Sequence, residues 1–391
     1  MQYLIVGGGN TAHAAAAGIR EHDRDGEIVL VSAEQHLPYK RPPLSKKLWS
    51  GGDESKLWLR TDELDGVDIR LGSRIVEIDA AAHTATDDQG RTDRYGKLLL
   101  ATGGRPRTLP ASEGVTTFRT LDDYRELRRR ATPGARVVVV GGGFIGSELA
   151  AALNGAGCRV TMIVPEQAIG ARLFPHDLAA FVTDYYRARG VEVLTGESVA
   201  RVERSGDELS VQLATVGRLT TAVVVAGLGI EPRVELAAAA GGRIDNGIVV
   251  DDHARVEGLG DVYAAGDVAS FPVPALGRRM RVEHEDHARA HGALAGANMA
   301  GADDRYDHLP FFYSDLFDLG YEAVGELDSR QSTITDWSTP NREGIVYYLD
   351  DAGRPRGVLL WNLFGRVEAA RELIRAGEPV HPGAFRQQAA A

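Results

Sequence analysis

Residues 2–19 read QYLIVGGGNTAHAAAAGI, and residues 135–157 read ARVVVVGGGFIGSELAAALNGAG. Each stretch joins a short apolar run to a glycine cluster and then to a run of small residues typical of a helix. A second apolar run follows each of them, EIVLVSAE at 27–34 and RVTMIVPE at 159–166. This strand–turn–helix–strand pattern is typical of dinucleotide-binding folds, so two full copies indicate two nucleotide sites in one chain.

The first copy fills the spacing G-x-G-x-x-G/A with Gly7, Gly9 and Ala12. Glycines there allow the backbone to turn tightly and to approach a pyrophosphate, which sits on the amino terminus of the helix. An acidic residue normally follows the second strand and holds the ribose hydroxyls, and Glu34 is the candidate in this chain. A glycine turn that binds nothing is the alternative interpretation.

The second copy completes G-x-G-x-x-G with Gly141, Gly143 and Gly146, and the following strand ends at Glu166. A carboxylate at that position accepts hydrogen bonds from a free ribose 2′-hydroxyl and repels a 2′-phosphate. The sequence therefore predicts NADH as the coenzyme. The nearby Arg172 keeps NADPH open as the less favoured coenzyme, and a solvated loop acid is the alternative interpretation of Glu166.

Composition restricts the class of protein. The 391 residues carry a formal net charge of −11 with a pI near 5.5, which argues against nucleic acid or an anionic membrane as a partner. The single cysteine, Cys158, excludes an intramolecular disulfide and begins an apolar strand, as a small buried hydrophobe does. No apolar run is long enough to span a membrane, and the start MQYLIVGGGN has no signal-peptide character, so we expect a cytoplasmic location.

The alternation of apolar strands and small-residue helices predicts an α/β fold with two Rossmann-like dinucleotide-binding domains. We expect an FAD-binding domain from residues 1–113 and 240–308, and an NADH-binding domain from residues 114–239. Aromatic residues become more frequent after residue 308, which predicts a C-terminal α+β domain over residues 309–391. The tail QQAAA at 387–391 is expected to fray.

Two further strand ends carry polar or small residues. LLLATGGRPR ends a strand at Ala101, Thr102 and Gly103, where a backbone crossing brings the chain against a dinucleotide. VYAAGDVA places Asp267 at another strand end, where a carboxylate can hold the polyol hydroxyls of a flavin. Both elements predict contacts with the first of the two nucleotides.

The order GxGxxA, ATGG, GxGxxG, AAGD resembles the flavoprotein reductases that bind FAD first and NAD(P)H second. Disulfide reductases of that superfamily carry a redox cysteine pair near residues 37–49, and this chain has no cysteine there. RPPLSK at 41–46 resembles the branch of apoptosis-inducing factor and the Rieske-type ferredoxin reductases. Residues 282–299, 313–329 and 357–374 resemble apoptosis-inducing factor in particular. The resemblance covers nearly the whole chain and implies a compact bacterial relative.

The resemblance implies roles for five residues of the chain. Arg41 should contact the FAD pyrophosphate, and Lys46 should lie near N5 of the flavin. Glu148 should face the nicotinamide and orient its carboxamide, paired with Lys46, while Phe144 should stack near the nicotinamide ring. Tyr313 stands where apoptosis-inducing factor has a tryptophan before SDL, so an aromatic ring still covers the flavin region.

RVEHEDHARAH at 281–291 raises the question of a metal site, because His284, His287 and His291 share one face of a helix. The spacing does not match H-E-x-x-H, so we predict no metal. The stretch opens a helix soon after AAGD, and its amino-terminal amides should point at the flavin. By resemblance Glu283 and His284 lie beside the isoalloxazine ring, where His284 is a catalytic candidate that stacks near the ring or relays a proton. His287 and His291 then face either the helix interior or the surface, in structural roles.

These features imply an FAD-dependent NADH oxidoreductase in which hydride passes from the nicotinamide to the flavin. The electron acceptor stays open between a ferredoxin, a quinone and another oxidant. A ferredoxin would need a basic docking face, for which residues 125–136 and 276–281 are candidates that equally fit solvated surfaces. Two alternatives remain: an NADH-responsive module that changes its oligomeric state, with a homodimer left open, and a flavoprotein that has lost NADH chemistry.

Overall fold

The computed structural model describes residues 2–215, 217–381 and 383, so the expected fraying of residues 387–391 lies outside the described residues. The chain forms two compact units. The first unit comprises described residues within Met1–Lys40, Ser55–Arg105 and Glu231–Pro310, and the second those within Arg41–Glu54, Pro106–Ile230 and Phe311–Ala391. The three-domain division proposed from the sequence has other boundaries and stays a proposal.

The helices and strands of the described residues are numbered in chain order. The helices are α1 Asn10–His22, α2 Leu121–Arg130, α3 Phe144–Gly155, α4 His176–Ala188, α5 Glu235–Ala239, α6 Glu285–Met299 and α7 Val367–Ala376. The strands are β1 Gln2–Val6, β2 Glu27–Ser32, β3 Val67–Leu71, β4 Ile75–Asp79, β5 Thr84–Asp87, β6 Thr92–Arg94, β7 Lys97–Leu100, β8 Gly104–Pro106, β9 Val115–Thr117, β10 Arg136–Val140, β11 Arg159–Val164, β12 Glu192–Thr195, β13 Val199–Ser205, β14 Glu208–Leu213, β15 Arg218–Thr221, β16 Val223–Ala226, β17 Ile230–Pro232, β18 Ile248–Val249, β19 Val262–Ala264, β20 Ala269–Val273, β21 Arg278–Met280, β22 Phe311–Leu316, β23 Leu319–Gly325, β24 Ser332–Thr339, β25 Glu343–Leu349 and β26 Pro355–Trp361.

The first unit is built on a parallel sheet with the strand order β3-β2-β1-β7-β19. Ile5 in β1 lies beside Leu30 of β2 and Leu99 of β7, and all three side chains are fully buried. The chain leaves β1 to one side and returns on the other, so the strand order reverses beside β1. In open parallel sheets, ligands bind outside the carboxyl ends of the strands at such a point.

The second unit repeats this topology in a parallel sheet with the order β12-β11-β10-β16-β9. Val138 in β10 lies between Thr161 of β11 and Val224 of β16, as Ile5 lies between its neighbours in the first unit. Runs of valine suit strands that are covered on both faces. The prediction of two Rossmann-like sheets in one chain is confirmed.

Helices α1 and α6 pack closely in the first unit because glycine stands where the backbones approach. A Cβ atom on Gly18 would lie 2.4 Å from the carbonyl oxygen of Ala293. On Gly292 and Gly296 it would lie 2.5 Å and 2.1 Å from the carbonyl oxygens of α1 residues. The small residues of both helices therefore fix the position of α6, and with it the histidines at its amino end.

The C-terminal part of the second unit is an antiparallel sheet with the order β22-β23-β26-β25-β24, against which α7 packs. Tyr321 and Trp361 stack at 5.8 Å between ring centroids inside it. The α+β character of this segment is confirmed, and α7 matches the helix expected at the end of the chain. Among all the helices of the described residues, none is long and apolar enough to cross a membrane.

Candidate functional site

The first glycine loop requires glycine for a backbone reason. Gly7 has φ 135°, and a Cβ atom there would lie 2.2 Å from the carbonyl oxygen of Ala101. Gly9 is the N-cap of α1, and a Cβ atom built on it meets nothing within 4 Å. Free space therefore lies beside the amino end of α1, where the helix amides could bind a pyrophosphate. Ala12 is fully buried in the helix behind this loop.

The second glycine loop has the same construction. Gly141 has φ 112°, and a Cβ atom on it would lie 2.5 Å from the carbonyl oxygen of Gly227. Gly146 lies against Gly141, since its Cβ atom would fall 2.1 Å from the Gly141 carbonyl oxygen. Gly143 is the N-cap of α3, and a Cβ atom added there would meet nothing within 4 Å. Both loops thus fit a dinucleotide pyrophosphate.

Glu34, Thr102 and Gly103 follow strands of the first sheet, at its carboxyl edge. Glu34 follows β2 by two residues, and its carboxylate accepts a hydrogen bond of 2.7 Å from the Tyr39 hydroxyl. Thr102 donates to the carbonyl of Arg233 at 2.9 Å, and Gly103 has φ 59°. A ribose-binding role for Glu34 stays a prediction. In that role, Glu34 would bind the ribose while one of its oxygens accepts from Tyr39.

Asp267 and the amino end of α6 form a polar group in the first unit. Arg281 donates to the carbonyl oxygen of Asp267 at 3.2 Å and pairs with Glu283 at 2.9 Å. His284 is the N-cap residue of α6. Burial lowers the pKa of His284 to about 4, against the opposing charges of Asp267 and Asp286, so the imidazole is neutral at pH 7.

His287 and His291 lie in the helix interior, with both side chains fully buried. Nδ1 of His287 shares a hydrogen bond of 2.7 Å with the Tyr306 hydroxyl, and its ring stacks on Phe271 at 4.2 Å. Nδ1 of His291 accepts from the amide of Gly266 at 3.4 Å. These contacts support structural roles. Within the described residues, no group of three or more His, Cys, Asp or Glu side chains could hold a metal ion.

We expect the protein to lose stability below pH 6 because of His287, His291 and His284, whose pKa values are all lowered by burial. Burial lowers the pKa of His291 to about 3 and lowers the pKa of His287 well below its usual range. The unfolded chain takes up these protons below about pH 6.5, so the folded state loses about 1.4 kcal/mol per pH unit for each histidine as the pH falls. The melting temperature, measured from pH 7.5 to pH 5.0, should fall accordingly.

Two variants isolate this effect. His291→Gln removes one titrating group at similar size and should make the melting temperature less dependent on pH. His176 is the matched control, because its side chain is 95% exposed, and His176→Asn should leave the dependence as in the parent protein. An unchanged slope in His291→Gln would show that other groups cause the acid instability.

The second unit brings Lys46 and Glu148 together, which confirms their predicted pairing. Their side chains are 9% and 3% exposed. Ser45 donates to Oε2 of Glu148 at 2.5 Å, and Ser314 donates to Oε1 at 2.6 Å. Neither serine was predicted from the sequence, because nothing in the local sequence marks a hydroxyl whose partner is more than 100 residues away.

Aromatic side chains surround this pair within the second unit. Phe144, the first residue of α3, packs edge-on against Phe312 at 5.1 Å between centroids. The ammonium of Lys46 lies 5.1 Å from the ring of Tyr313, which is 37% exposed. Arg41 donates to the carbonyl of Arg119 at 2.8 Å. The predicted cofactor contacts of Phe144, Tyr313 and Arg41 stay predictions.

Glu166 is paired with Arg172 at 2.6 Å, where the side chains are 25% and 85% exposed. It follows β11 by two residues, at the carboxyl edge of the second sheet. The pair engages one nitrogen of an otherwise exposed guanidinium, so it holds the carboxylate only weakly. The ribose-binding role of Glu166 and the alternative of a solvated loop acid both stay predictions.

Many arginines of the two basic stretches are engaged within their own units. Arg128 lies over the ring of Trp49 at 5.3 Å, Arg129 pairs with Glu126, and Arg130 donates to the carbonyl of Ala222 at 2.8 Å. In the other stretch, Arg279 donates to the carbonyl of Ser270 at 2.5 Å. Arg128 and Arg129 are nevertheless exposed, so these contacts leave the docking face and the solvated surface both open as interpretations of the basic stretches.

Two parallel Rossmann sheets, each with a glycine turn that leaves free space beside the amino end of a helix, define a protein that binds two dinucleotides. Lys46 of the buried Lys–Glu pair belongs to residues 37–49, a stretch without cysteine. Comparison with known families agrees: residues 1–292 match the model described as pyridine nucleotide-disulphide oxidoreductase. The chain belongs to this family. Residues 295–343 match the model described as apoptosis-inducing factor, mitochondrion-associated, C-term.

The chain is similar to two kinds of characterised protein. It is 36% identical to the ferredoxin–NAD(+) reductase component of the anthranilate 1,2-dioxygenase system of Burkholderia cepacia, over 97% of this chain and 95% of the relative. It is 34% identical to mitochondrial apoptosis-inducing factor 1 of Dictyostelium discoideum, over 95% and 78% of the two chains. The reductase in the solved covalent putidaredoxin reductase–putidaredoxin complex is 30% identical, with a TM-score of 0.92 and coverage of 98% and 95%.

These comparisons confirm the branch that the sequence motifs indicated. The protein is an FAD- and NADH-dependent oxidoreductase of the ferredoxin-reductase-like kind. The family description mentions disulphides, but Cys158 is the single cysteine of this chain and is buried. Burial also raises the pKa of its thiol, so a cysteine pair has no part in the electron transfer of this protein.

Proposed function

We propose that the protein passes electrons from NADH to a ferredoxin-type iron–sulfur protein. The observation that carries the proposal is the buried Lys46–Glu148 pair. Glu148 belongs to α3, the helix whose amino end forms the second glycine loop, so a nucleotide bound there is directed toward it. Relatives that span nearly the whole chain are named ferredoxin reductases, which supports the choice of acceptor.

Each part of the proposed site has a chemical task. The amides behind Gly9 and Gly143 bind pyrophosphates, and Glu166 accepts hydrogen bonds from the NADH ribose. Glu148 accepts from the nicotinamide carboxamide and orients the ring, while Lys46 supplies a positive charge. Bound FAD supplies the redox chemistry, because a flavin takes up hydride and releases electrons. At the amino end of α6, His284 is neutral, and the Arg281 guanidinium is paired with Glu283.

An anaerobic titration with NADH tests the first half of the proposal. We expect the visible flavin absorbance of the purified holoprotein to bleach with one equivalent of NADH. A panel of acceptors on the reduced protein, including a [2Fe–2S] ferredoxin, a quinone and oxygen, then tests the second half. Reoxidation by the quinone or oxygen with none by ferredoxin would refute the acceptor, and an unbleached flavin would refute the oxidoreductase.

The resemblance to apoptosis-inducing factor supports a second candidate, an NADH-responsive module with slow turnover. Sedimentation with and without NADH distinguishes the two, since the module should shift between monomer and homodimer. Rapid turnover without a change in assembly favours the reductase.

We propose a cytoplasmic location, where NADH and ferredoxins that can accept its electrons are both available.

Replacing Glu166 with glutamine should lower the preference for NADH over NADPH at least tenfold. The variant loses the charge that bonds the ribose hydroxyls, which contributes about 1.5–3 kcal/mol. It also releases Arg172 from the pair, and a free guanidinium suits a 2′-phosphate. The measurement is kcat/KM for flavin reduction with each coenzyme.

Glu203 provides the control for this prediction. It is an ion-paired surface glutamate of the same unit, bonded to Arg201 at 3.0 Å. Glu203→Gln should leave the ratio of kcat/KM values unchanged. A Glu166→Gln protein that keeps the parental ratio would mean that the ribose is bound elsewhere.

A further inference from the structure

The carboxylate of Glu148 is surrounded by hydrogen-bond donors from separate segments of the second unit. Lys46 and Ser45 come from the 41–54 segment, and Ser314 comes from β22. Ser45 and Ser314 are 3% and 1% exposed, so their hydroxyls have no access to bulk water. Neither serine belongs to a glycine loop or to the ribose end of the site, and their shared feature is the acceptor that they bond.

The donors divide unevenly between the two oxygens of Glu148. Oε1 receives the Lys46 ammonium and the Ser314 hydroxyl, whereas among the described residues Oε2 receives only the Ser45 hydroxyl. A carboxylate offers about four acceptor positions, two on each oxygen. The structure therefore fills both positions on Oε1 and leaves one on Oε2.

Two buried phenols lie near this carboxylate. Burial raises the pKa of Tyr186 and of Tyr321 well above the usual value, and the charge of Glu148 adds to the effect in both. Both rings stay neutral. The Tyr186 hydroxyl donates to the carbonyl of Ser147 at 2.9 Å, so it is directed away from the Glu148 oxygens. The Tyr321 hydroxyl has the Ser314 side chain as its hydrogen-bond partner. The second position on Oε2 is thus filled by neither phenol and is left to an incoming donor.

We propose that Ser45 and Ser314 are positioning residues that orient Glu148 so that Oε2 accepts the carboxamide N–H of the nicotinamide. This rests on the proposed function of Glu148 and goes beyond it by assigning the hydroxyls that fix the carboxylate. With the serines in place, Glu148 has one orientation and one open acceptor position. Without them, the carboxylate rotates about its terminal bond toward Lys46 alone, and the open position is no longer fixed.

The test compares NAD⁺ with its 3-acetylpyridine analogue, which replaces the carboxamide by a methyl ketone and has no N–H to donate. Neither oxidised dinucleotide reduces the flavin, so calorimetry on the holoprotein measures binding alone. We expect the parent protein to bind NAD⁺ more tightly than the analogue. The double variant Ser45→Ala/Ser314→Ala should lose most of this preference, by about tenfold, through weaker binding of NAD⁺ and not of the analogue.

Thr221→Val is the matched control, because it also removes a buried hydroxyl of the second unit. Thr221 donates to the carbonyls of Arg136 and Val223, and Val keeps its shape. This variant should bind both dinucleotides as the parent does. Ser314→Thr keeps the hydroxyl and should restore the preference that Ser314→Ala lowers.

Other outcomes overturn the inference. Equal weakening of both dinucleotides would mean that the serines only stabilise the fold, and an unchanged ratio would mean that they do not orient Glu148. If the parent protein binds NAD⁺ and the analogue equally well, Glu148 does not accept a hydrogen bond from the carboxamide. In each case, NADH still bleaches the flavin of the parent if the proposed oxidoreductase function is correct, so the two failures can be distinguished.

Discussion

Replacing Glu148 with alanine should slow the reduction of bound FAD by NADH by on the order of 100-fold, while FAD stays bound. The carboxylate is the shared acceptor for Lys46, Ser45 and Ser314. Loss of a hydrogen bond to a charged group costs about 1.5–3 kcal/mol, and a misoriented ring loses more because hydride transfer requires close alignment. Stopped-flow reduction under anaerobic conditions measures the rate at saturating NADH.

Stability must be separated from catalysis in this experiment. The Lys46 side chain is 9% exposed in the parent protein and loses its carboxylate partner in this variant, and breaking a buried pair in this way costs about 3–5 kcal/mol. Glu148→Gln keeps the shape and one acceptor oxygen, so its melting temperature should lie closer to that of the parent than the Glu148→Ala value does. Its bound FAD should nevertheless be reduced at least tenfold more slowly than in the parent. Glu208→Gln, in a surface pair with Arg136, is the control and should react at the parental rate. Parental rates in both Glu148 variants would remove this residue from the mechanism.

The two nucleotide folds could be predicted from the sequence because their signals are local. A strand, a glycine turn and a helix occupy consecutive residues, and the constraint on Gly7 or Gly141 comes from backbone packing that every such fold shares. The C-terminal sheet was identified only by its aromatic texture and its final helix. Its strand order, with β26 between β23 and β25, depends on long-range pairing that no local pattern reports.

The candidate site was predictable only where a motif or a family resemblance pointed to it. Lys46 and Glu148 were named as a pair, and the structure confirms the contact. Ser45 and Ser314 were missed because their hydrogen bonds to Glu148 span 103 and 166 residues. His287 posed a different difficulty: in a helix as rich in alanine and glycine as α6, apolar periodicity is too weak to tell a buried face from an exposed one.

The glycines of the second loop meet two different requirements: Gly141 is needed for the fold of the loop, and Gly143 leaves space for the ligand. Gly141→Ala should destabilise the second unit and abolish NADH binding while FAD is retained. A non-glycine residue at φ 112° costs about 1–3 kcal/mol, and the added methyl group would lie 2.5 Å from a backbone carbonyl that cannot rotate away. The loop must shift, and the amides that bind the pyrophosphate shift with it. Calorimetry with NAD⁺ and a melting curve on the same protein measure both effects.

Two neighbouring glycines in ordinary backbone conformations supply the comparison. Gly155 ends α3, and an added methyl group would meet nothing within 4 Å, so Gly155→Ala should keep NAD⁺ affinity and change stability by less than about 1 kcal/mol. Gly143 has the same free space, but it lies at the amino end of the helix. Gly143→Ala should therefore keep the parental melting temperature and bind NAD⁺ at least tenfold more weakly, because only the ligand needs that space. If Gly143→Ala binds NAD⁺ normally, the pyrophosphate does not lie on α3; if Gly141→Ala does, the loop tolerates the shift.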